Sequence, residues 1–235
     1  MKTKADIWNR FSPDRYVKQN YANMKVQDVL ILYRIFTRHQ NRTGGVIMEV
    51  GGAVNLYPVL AMLPFYDRVI ITDITDANLH YLSSQISKLD KVWMQYIDVI
   101  RTFDLSLQGY DFQAELKKKV HYQRVSVFDL QTDIVNHISM NFLAESITDK
   151  YTTFYDACQC VKKAVRKGGQ ITATFMSGST GYKVNGHRFP AVNISTEHVI
   201  DAFADMKEAF AVNIPMVGNP VRKGYSGIIY YQGKR

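Results

Sequence analysis

The stretch Val46-Ile47-Met48-Glu49-Val50-Gly51-Gly52-Ala53-Val54-Asn55-Leu56-Tyr57 decides the fold. A short apolar run carrying Glu49 breaks at two glycines, and a segment of helical character follows. Twenty-two residues after Gly51, a second apolar run, Val69-Ile70-Ile71-Thr72, ends in Asp73. Glycine at a strand end lets a ligand approach backbone that a Cβ would block. A carboxylate at the end of the next parallel strand can accept both hydroxyls of a ribose. The spacing therefore points to a βαβ unit that holds a nucleoside.

Which nucleoside follows from what the turn lacks. A dinucleotide needs a glycine-rich turn, usually G-x-G-x-x-G, with its pyrophosphate on the helix N-terminus. Here Ala53, Val54 and Asn55 follow the two glycines. S-adenosylmethionine carries no phosphate and needs instead room and polar groups for an amino-acid limb. It is the expected cofactor.

Outward from this unit, strands alternate with helices. Ser12-Pro13 opens an N-terminal helix carrying Tyr16 and Tyr21, and residues 25–39 repeat apolar positions at helical spacing. Residues 90–119 also have helical spacing and read as an inserted helical excursion. The alternating run 121–128 predicts a third strand ending at Asp129-Leu130, with Asp129 placed for the adenine amine. The next strand, near 134–140, runs into Asn141. A helix over about 148–166 is expected to stop at Gly168-Gly169, ahead of a strand to Phe175. Residues 177–193 read as a Gly- and Ser-rich loop, a candidate lid. A helix over 196–206 and strands near 207–214 and 226–232 finish the chain.

This pattern predicts one α/β domain over 1–235: a doubly wound, mostly parallel, seven-stranded Rossmann-like sheet with an antiparallel last strand. Its expected parts are a helical N-terminal lid (1–42), the helical insertion (90–119) and a substrate loop (176–194). Gly51, Asp73 with Ile74, Asp129 and Asn141 all fall at strand ends, where ligands bind in such sheets.

Composition narrows the class. With 46% apolar and 21% charged residues, the chain is expected to be globular, not disordered. No apolar run approaches the ~20 residues that span a bilayer, and the N-terminus lacks a signal-peptide core. Cys158 and Cys160 lie two apart on one helix and do not face each other. A cytoplasmic protein without membrane attachment or a metal site is expected, as monomer or homodimer. The net charge of +8 is spread, with local clusters at 117–119 and 162–167 that read as solvated faces. It favours an anionic or neutral small substrate through steering, not nucleic acid.

With those residues in hand, the chain resembles class I methyltransferases, and more narrowly the family of nicotinamide, phenylethanolamine and thioether N-methyltransferases. Phe11-Ser12-Pro13 with Tyr16 and Tyr21 is similar to the N-terminal tyrosine pair that closes over the cofactor. Glu49-Val50-Gly51-Gly52 with Tyr57 resembles the glycine motif, with Ala53 where a third small residue usually stands. Thr72-Asp73 with Asn78 resembles the ribose and methionine-limb contacts, and Asp129-Leu130 the adenine contact. Lys167-Gly168-Gly169 matches a conserved turn of the family without its proline. Tyr182, Gly186 and Phe189 match the substrate-loop pattern with one residue inserted.

The resemblance also implies substrate contacts. Ungapped alignment puts Phe175 where the family has a substrate-anchoring acid, which argues against a substrate held as in the amine or nicotinamide enzymes. Ser179 keeps a substrate-facing serine, and Ala191 replaces another. Glu145 falls at an acidic position after the fourth strand.

Methyl transfer from a sulfonium needs mainly positioning and exclusion of water. Tyr16, Tyr21 and Tyr182 are the expected aromatic enclosure, since tyrosine rings can host a cation. Glu145 and His187 are the candidate bases. The expected activity is transfer of a methyl group to N, O or S of a small metabolite. Two rivals stand beside it, a nucleic-acid methyltransferase and a catalytically silent binding module. Asn141-Phe142-Leu143-Ala144 lacks the prolines of the exocyclic-amine enzymes that flip bases.

Overall fold

The computed structural model describes residues 5–216 and 225–235. They contain nine strands and nine α-helices. Seven strands form one sheet in the order β3-β2-β1-β4-β5-β9-β8. They are β1 (Val46–Val50), β2 (Arg68–Asp73), β3 (Val120–Arg124), β4 (Val135–Asn141), β5 (Val165–Ser177), β8 (Lys207–Pro215) and β9 (Gly227–Lys234). β1 pairs in parallel with β2 and β4, β2 with β3, and β4 with β5. Only β9 runs against its neighbours, β5 and β8. The expected mostly parallel, doubly wound sheet is what forms. Its order reverses between β1 and β4, and the crevice at such a switch point is where ligands bind.

Strand alternation splits the core into two layers. Ile47 of β1 faces α3 (Val26–His39), α4 (Tyr57–Met62) and α6 (Lys91–Phe103), whereas Met48 and Val50 face α8 (Tyr151–Ala164) and α9 (Thr196–Ala202). Helix α6 buries Trp93, Tyr96, Ile97 and Ile100, a spacing that keeps them on one face. It packs on α3 and α4. The segment expected as an excursion is thus part of a core layer. Helices α5 (Asp76–Ser87) and α7 (Phe112–Lys119) cover the β3 end, and α1 (Ala5–Trp8) and α2 (Pro13–Tyr21) precede the sheet. Among the described residues, no helix is long and apolar enough to cross a membrane.

Three boundaries differ from the sequence reading. β3 ends at Arg124, and Val127–Asp129 form a 3-10 turn in which the Ser126 hydroxyl accepts from the Phe128 N–H at 3.2 Å. A serine that can bond the backbone locally offers the chain an exit from the ladder. Helix α8 ends at Ala164, ahead of Gly168-Gly169, because Val165 already pairs with Val135. The two glycines instead hold the chain end: Gly168 N–H donates to Arg235 O at 2.6 Å and Arg235 N–H to Gly169 O at 2.9 Å.

The third difference is in the expected loop at 177–193. It contains a hairpin, β6 (Tyr182–Val184) with β7 (His187–Phe189). Asn185 (φ 49°) and Gly186 (φ 78°) make its two-residue turn. Asn-Gly is the preferred pair for that conformation.

Candidate active site

Two chambers adjoin at the carboxyl ends of β1, β2 and β4. The larger, about 1320 Å³ and open to solvent, is walled by the tips of β1, β2 and β4 and by the loop after β3. Gly51 leaves β1 at φ 71°, its N–H bonded to Thr72 O at 2.8 Å. A side chain here would need a left-handed conformation that L-residues rarely adopt. A Cβ on Gly52 would stand 2.3 Å from the Glu49 side chain. Glu49 thus fills the space behind the turn.

Glu49 is fully buried, and Asn141 Nδ2 donates to both its oxygens at 3.1 Å. Thr174 Oγ1 in turn donates to Asn141 Oδ1 at 2.7 Å. Burial pushes the Glu49 carboxyl up to about 7, against the bonds from Ser139 and Asn141. Glu49 therefore lies beneath the cavity floor, while Asn141 and Gly51 reach its surface.

Asp73 lines the same cavity and is almost fully buried. Its Oδ1 accepts from Thr75 N–H at 3.1 Å, Thr75 Oγ1 at 3.3 Å and Asn78 Nδ2 at 3.1 Å. Oδ2 accepts from Asn78 Nδ2 alone at 3.1 Å. A carboxylate oxygen has two lone pairs, so Oδ2 keeps capacity for a ligand hydroxyl. Burial raises this carboxyl above its usual range, and the Thr75 and Asn78 bonds oppose it. Asn78 Oδ1 and both polar atoms of the Asn55 amide are buried without a hydrogen-bond partner, and both residues line the cavity. Buried polar groups are normally satisfied. These orphaned atoms fit a polar ligand such as a nucleoside with an amino-acid limb.

The smaller chamber, about 600 Å³, shares the wall Tyr16, Phe142, Ser146 and Tyr182 with the larger one. Tyr21, Tyr57, Asp28, Glu145 and Ser179 are among its other lining residues. Phe142 is held at φ 57°, with its N–H on Thr174 O and its carbonyl accepting from the Ser146 hydroxyl at 2.6 Å. A non-glycine residue in this region costs ~1–2 kcal/mol, offset here by those bonds at the wall between the chambers. Glu145 is fully buried. Its Oε1 accepts from Met176 N–H at 2.9 Å, and Oε2 has no partner. Burial pushes this carboxyl up to about 8. Asp28, from the first turn of α3, bonds Lys25 N–H at 2.8 Å and is pushed up to about 6, again by burial.

A cover of aromatic rings draws on two parts of the chain. Tyr16 of α2 lies 6.3 Å from Tyr182 of β6 by ring centroid, and Phe11 lies 5.3 Å from Phe189 of β7. Gln19 Nε2 donates to Lys183 O at 3.2 Å, joining α2 to the hairpin.

Not every residue singled out in the sequence arrives here. Tyr16, Gly51, Asp73, Ile74, Asn78, Asn141 and Tyr182 line the cofactor-sized cavity. Tyr21 and Tyr57 line the smaller chamber, where Tyr57 stacks on Tyr96 with centroids 5.2 Å apart. Asp129 and Leu130 line neither, because β3 ends early and Val125 to Phe128 occupy that wall. Phe175 points across the sheet onto Phe154 of α8, and its neighbour Met176 faces the chamber. Ala191 is buried outside both linings, and His187 is exposed on the outer hairpin. Asp28, Asn55 and Ser146 were not singled out in the sequence. Asn55, four residues after Gly51, carried the one local signal among them.

The folded state holds protons on Asp28, Glu49 and Glu145 that an unfolded chain releases near ordinary carboxylate values. Stability from such groups is present at low pH and is lost as pH rises through about 6, 7 and 8 respectively. His39 and His137, lowered by burial to about 3 and about 4, act oppositely, but only below the ordinary imidazole value. That value is ~6.5. The ligand-free protein should therefore lose melting temperature from near pH 6.5 to 8, and Glu145→Gln should flatten the slope. A flat profile in the unsubstituted protein would contradict these shifts.

A doubly wound sheet with a glycine turn after β1 and an acid at the end of β2 fits a class I S-adenosylmethionine-dependent methyltransferase, the class to which the family match assigns the chain. The chain belongs to the NNMT/PNMT/TEMT family, whose sequence pattern matches residues 1–219. No curated protein matches it at a significant level. Solved structures share the fold at low identity. N-methyltransferase NodS from Bradyrhizobium japonicum WM9, bound to S-adenosylhomocysteine, is 10% identical with a TM-score of 0.56, covering 95% of this chain and 98% of NodS. Burkholderia thailandensis 1,6-didemethyltoxoflavin-N1-methyltransferase is 12% identical with a TM-score of 0.54, covering 99% and 86%. Haemonchus contortus phosphoethanolamine N-methyltransferase 2, solved with S-adenosylmethionine, is 9% identical with a TM-score of 0.63, covering 100% and 60%.

Proposed function

We propose that this methyltransferase transfers the methyl group to the nitrogen of a small amine held in the Glu145 chamber. The observation that carries this reading is the buried, unpartnered Oε2 of Glu145, set among tyrosine rings and shared walls with the cofactor cavity. With this carboxyl pushed up to about 8, Oε2 offers an O–H to a nitrogen lone pair at neutral pH and accepts an N–H once ionised, and both fit an amine. Asp28 in the same lining adds a second acid, and tyrosine faces attract cations. The aligned loss of an acid at Phe175 counts less, because that side chain faces the other core layer.

In the larger cavity, Asp73 takes the ribose hydroxyls, and Asn55 and Asn78 offer their orphaned atoms to polar groups of the cofactor. S-adenosylmethionine supplies a methyl group on a positively charged sulfur and leaves as the neutral thioether. An amine must reach it with a free lone pair. Asp28, pushed up only to about 6, is ionised near neutral pH and attracts the ammonium form, while Glu145, once ionised as pH approaches about 8, takes the proton from nitrogen at Oε2. Tyr16 and Tyr182 close the junction and exclude water.

The test is a two-stage assay. S-adenosylhomocysteine is first titrated by calorimetry, then its release is followed with panels of small amines, phenols, thiols and RNA. Binding followed by turnover of amines is the expected result. Failure to bind would support a silent module, and methylation of RNA or of phenols and thiols alone would overturn the amine assignment.

A further inference from the structure

A second cleft lies away from both chambers and shares no lining residue with them. It is about 630 Å³, open to solvent, and formed where α3 crosses the outer strands β9 and β8. Arg34, Thr37, Arg38 and Asn41 line one side, and Phe210, Tyr230 and Gln232 the other.

The charge balance of this cleft is one-sided, with two guanidiniums and no carboxylate in the lining. Among the described residues, neither arginine has an ion-pair partner within 4.0 Å. Arg38 Nε and Nη2 are both buried without a hydrogen-bond partner. An arginine on a solvated face turns its donors to water; one whose donors are shielded and unpaired lacks an acceptor. Arg34 lies over the Tyr230 ring, its Cζ 5.7 Å from the centroid. The Tyr230 hydroxyl donates to Gln232 Oε1 at 3.2 Å, leaving the Gln232 amide nitrogen as a further donor.

We infer that this cleft binds a small phosphorylated molecule through Arg34 and Arg38. The donor inventory favours a phosphoryl group over a carboxylate. Two guanidiniums with the Asn41 and Gln232 amides offer more N–H groups than two carboxylate oxygens accept, whereas a phosphoryl group presents three oxygens and up to two charges. Phe210, 42% exposed and 6.2 Å from Tyr230 by ring centroid, supplies a flat apolar wall beside the charge. An aromatic body attached to the phosphoryl group would lie against it.

The probes are AMP, adenosine and inorganic phosphate, titrated by calorimetry with the cofactor cavity first saturated by S-adenosylhomocysteine. AMP should bind, phosphate more weakly, and adenosine least. Arg38→Gln and Arg34→Gln should each weaken AMP about tenfold or more, the scale of a lost charge-assisted hydrogen bond. Lys118→Gln, on the exposed face of α7, should leave AMP binding unchanged. Melting temperatures of the variants identify any that misfold, and Arg34, on the cleft surface, provides the second test if Arg38 fails. No AMP binding at millimolar concentration, equal affinity for adenosine, or equal loss in Lys118→Gln would overturn the assignment.

Discussion

Replacing Asp73 with alanine is expected to weaken S-adenosylhomocysteine binding by about 10- to 100-fold, the cost of leaving ligand hydroxyls unpaired in a buried site. The geometry gives two ways for this carboxylate to matter, and they separate experimentally. Three donors converge on Oδ1, which ties the strand end to the first turn of α5, while Oδ2 carries a single bond. If Asp73 only fastens that turn, Asp73→Ala lowers the melting temperature of the ligand-free protein and leaves the calorimetric affinity alone. If Oδ2 serves the ribose, affinity falls by more than the loss of stability accounts for. Asp73→Asn should be intermediate, since its amide keeps one acceptor oxygen. An Asp73→Ala protein that binds with unchanged affinity would remove the ribose contact from the mechanism.

The parts legible in the sequence were those that local chemistry dictates. Val46 to Asp73 show two short buried strands, a turn that only glycine adopts readily, and an acid at the next strand end. Each signal is local and all agree. Asn185-Gly186 was equally legible, yet the surrounding glycines and serines made the segment read as loop. The end of β3 was misplaced for a physical reason. Val125, Ser126 and Val127 continue the alternation of β3, while the Ser126 hydroxyl captures the Phe128 N–H and turns the chain. Phe175 shows how little an ungapped alignment constrains a strand, since a slip of one residue exchanges one face of the sheet for the other. Asp28 had no local signal. It sits in the first turn of a helix patterned for packing, and only the placing of α3 over the chamber puts its carboxylate there.

The two chambers assign different work to buried acids, and the assignment follows from their partners. Asn141 bonds both oxygens of Glu49, which lies under the glycine turn outside the larger cavity's lining, and burial there raises its value. Glu145 is bonded at one oxygen only and lines the smaller chamber. Substituting Glu145 should change chemistry, and substituting Glu49 should change cofactor affinity and stability.

Glu145→Gln is the sharper of those tests. Glutamine preserves the shape and lets its amide oxygen accept from Met176 N–H, so the local fold survives. It removes only the capacity to take a proton. With an amine acceptor, kcat is expected to fall by about 10²- to 10⁴-fold, the range ascribed to a positioned general base. The pH profile carries the decision. Burial pushes the Glu145 carboxyl of the ligand-free protein up to about 8, so kcat/KM in the unsubstituted enzyme should rise with pH toward that value as the carboxylate forms. In Glu145→Gln that limb should vanish with the same acceptor, leaving only titration of the amine itself. Glu145→Asp should restore part of the rate, with the limb displaced according to the shorter reach of its carboxylate. A residue that merely braces β5 would lower the melting temperature and scale the rate at every pH by one factor. A parallel profile in Glu145→Gln would therefore remove Glu145 as the base.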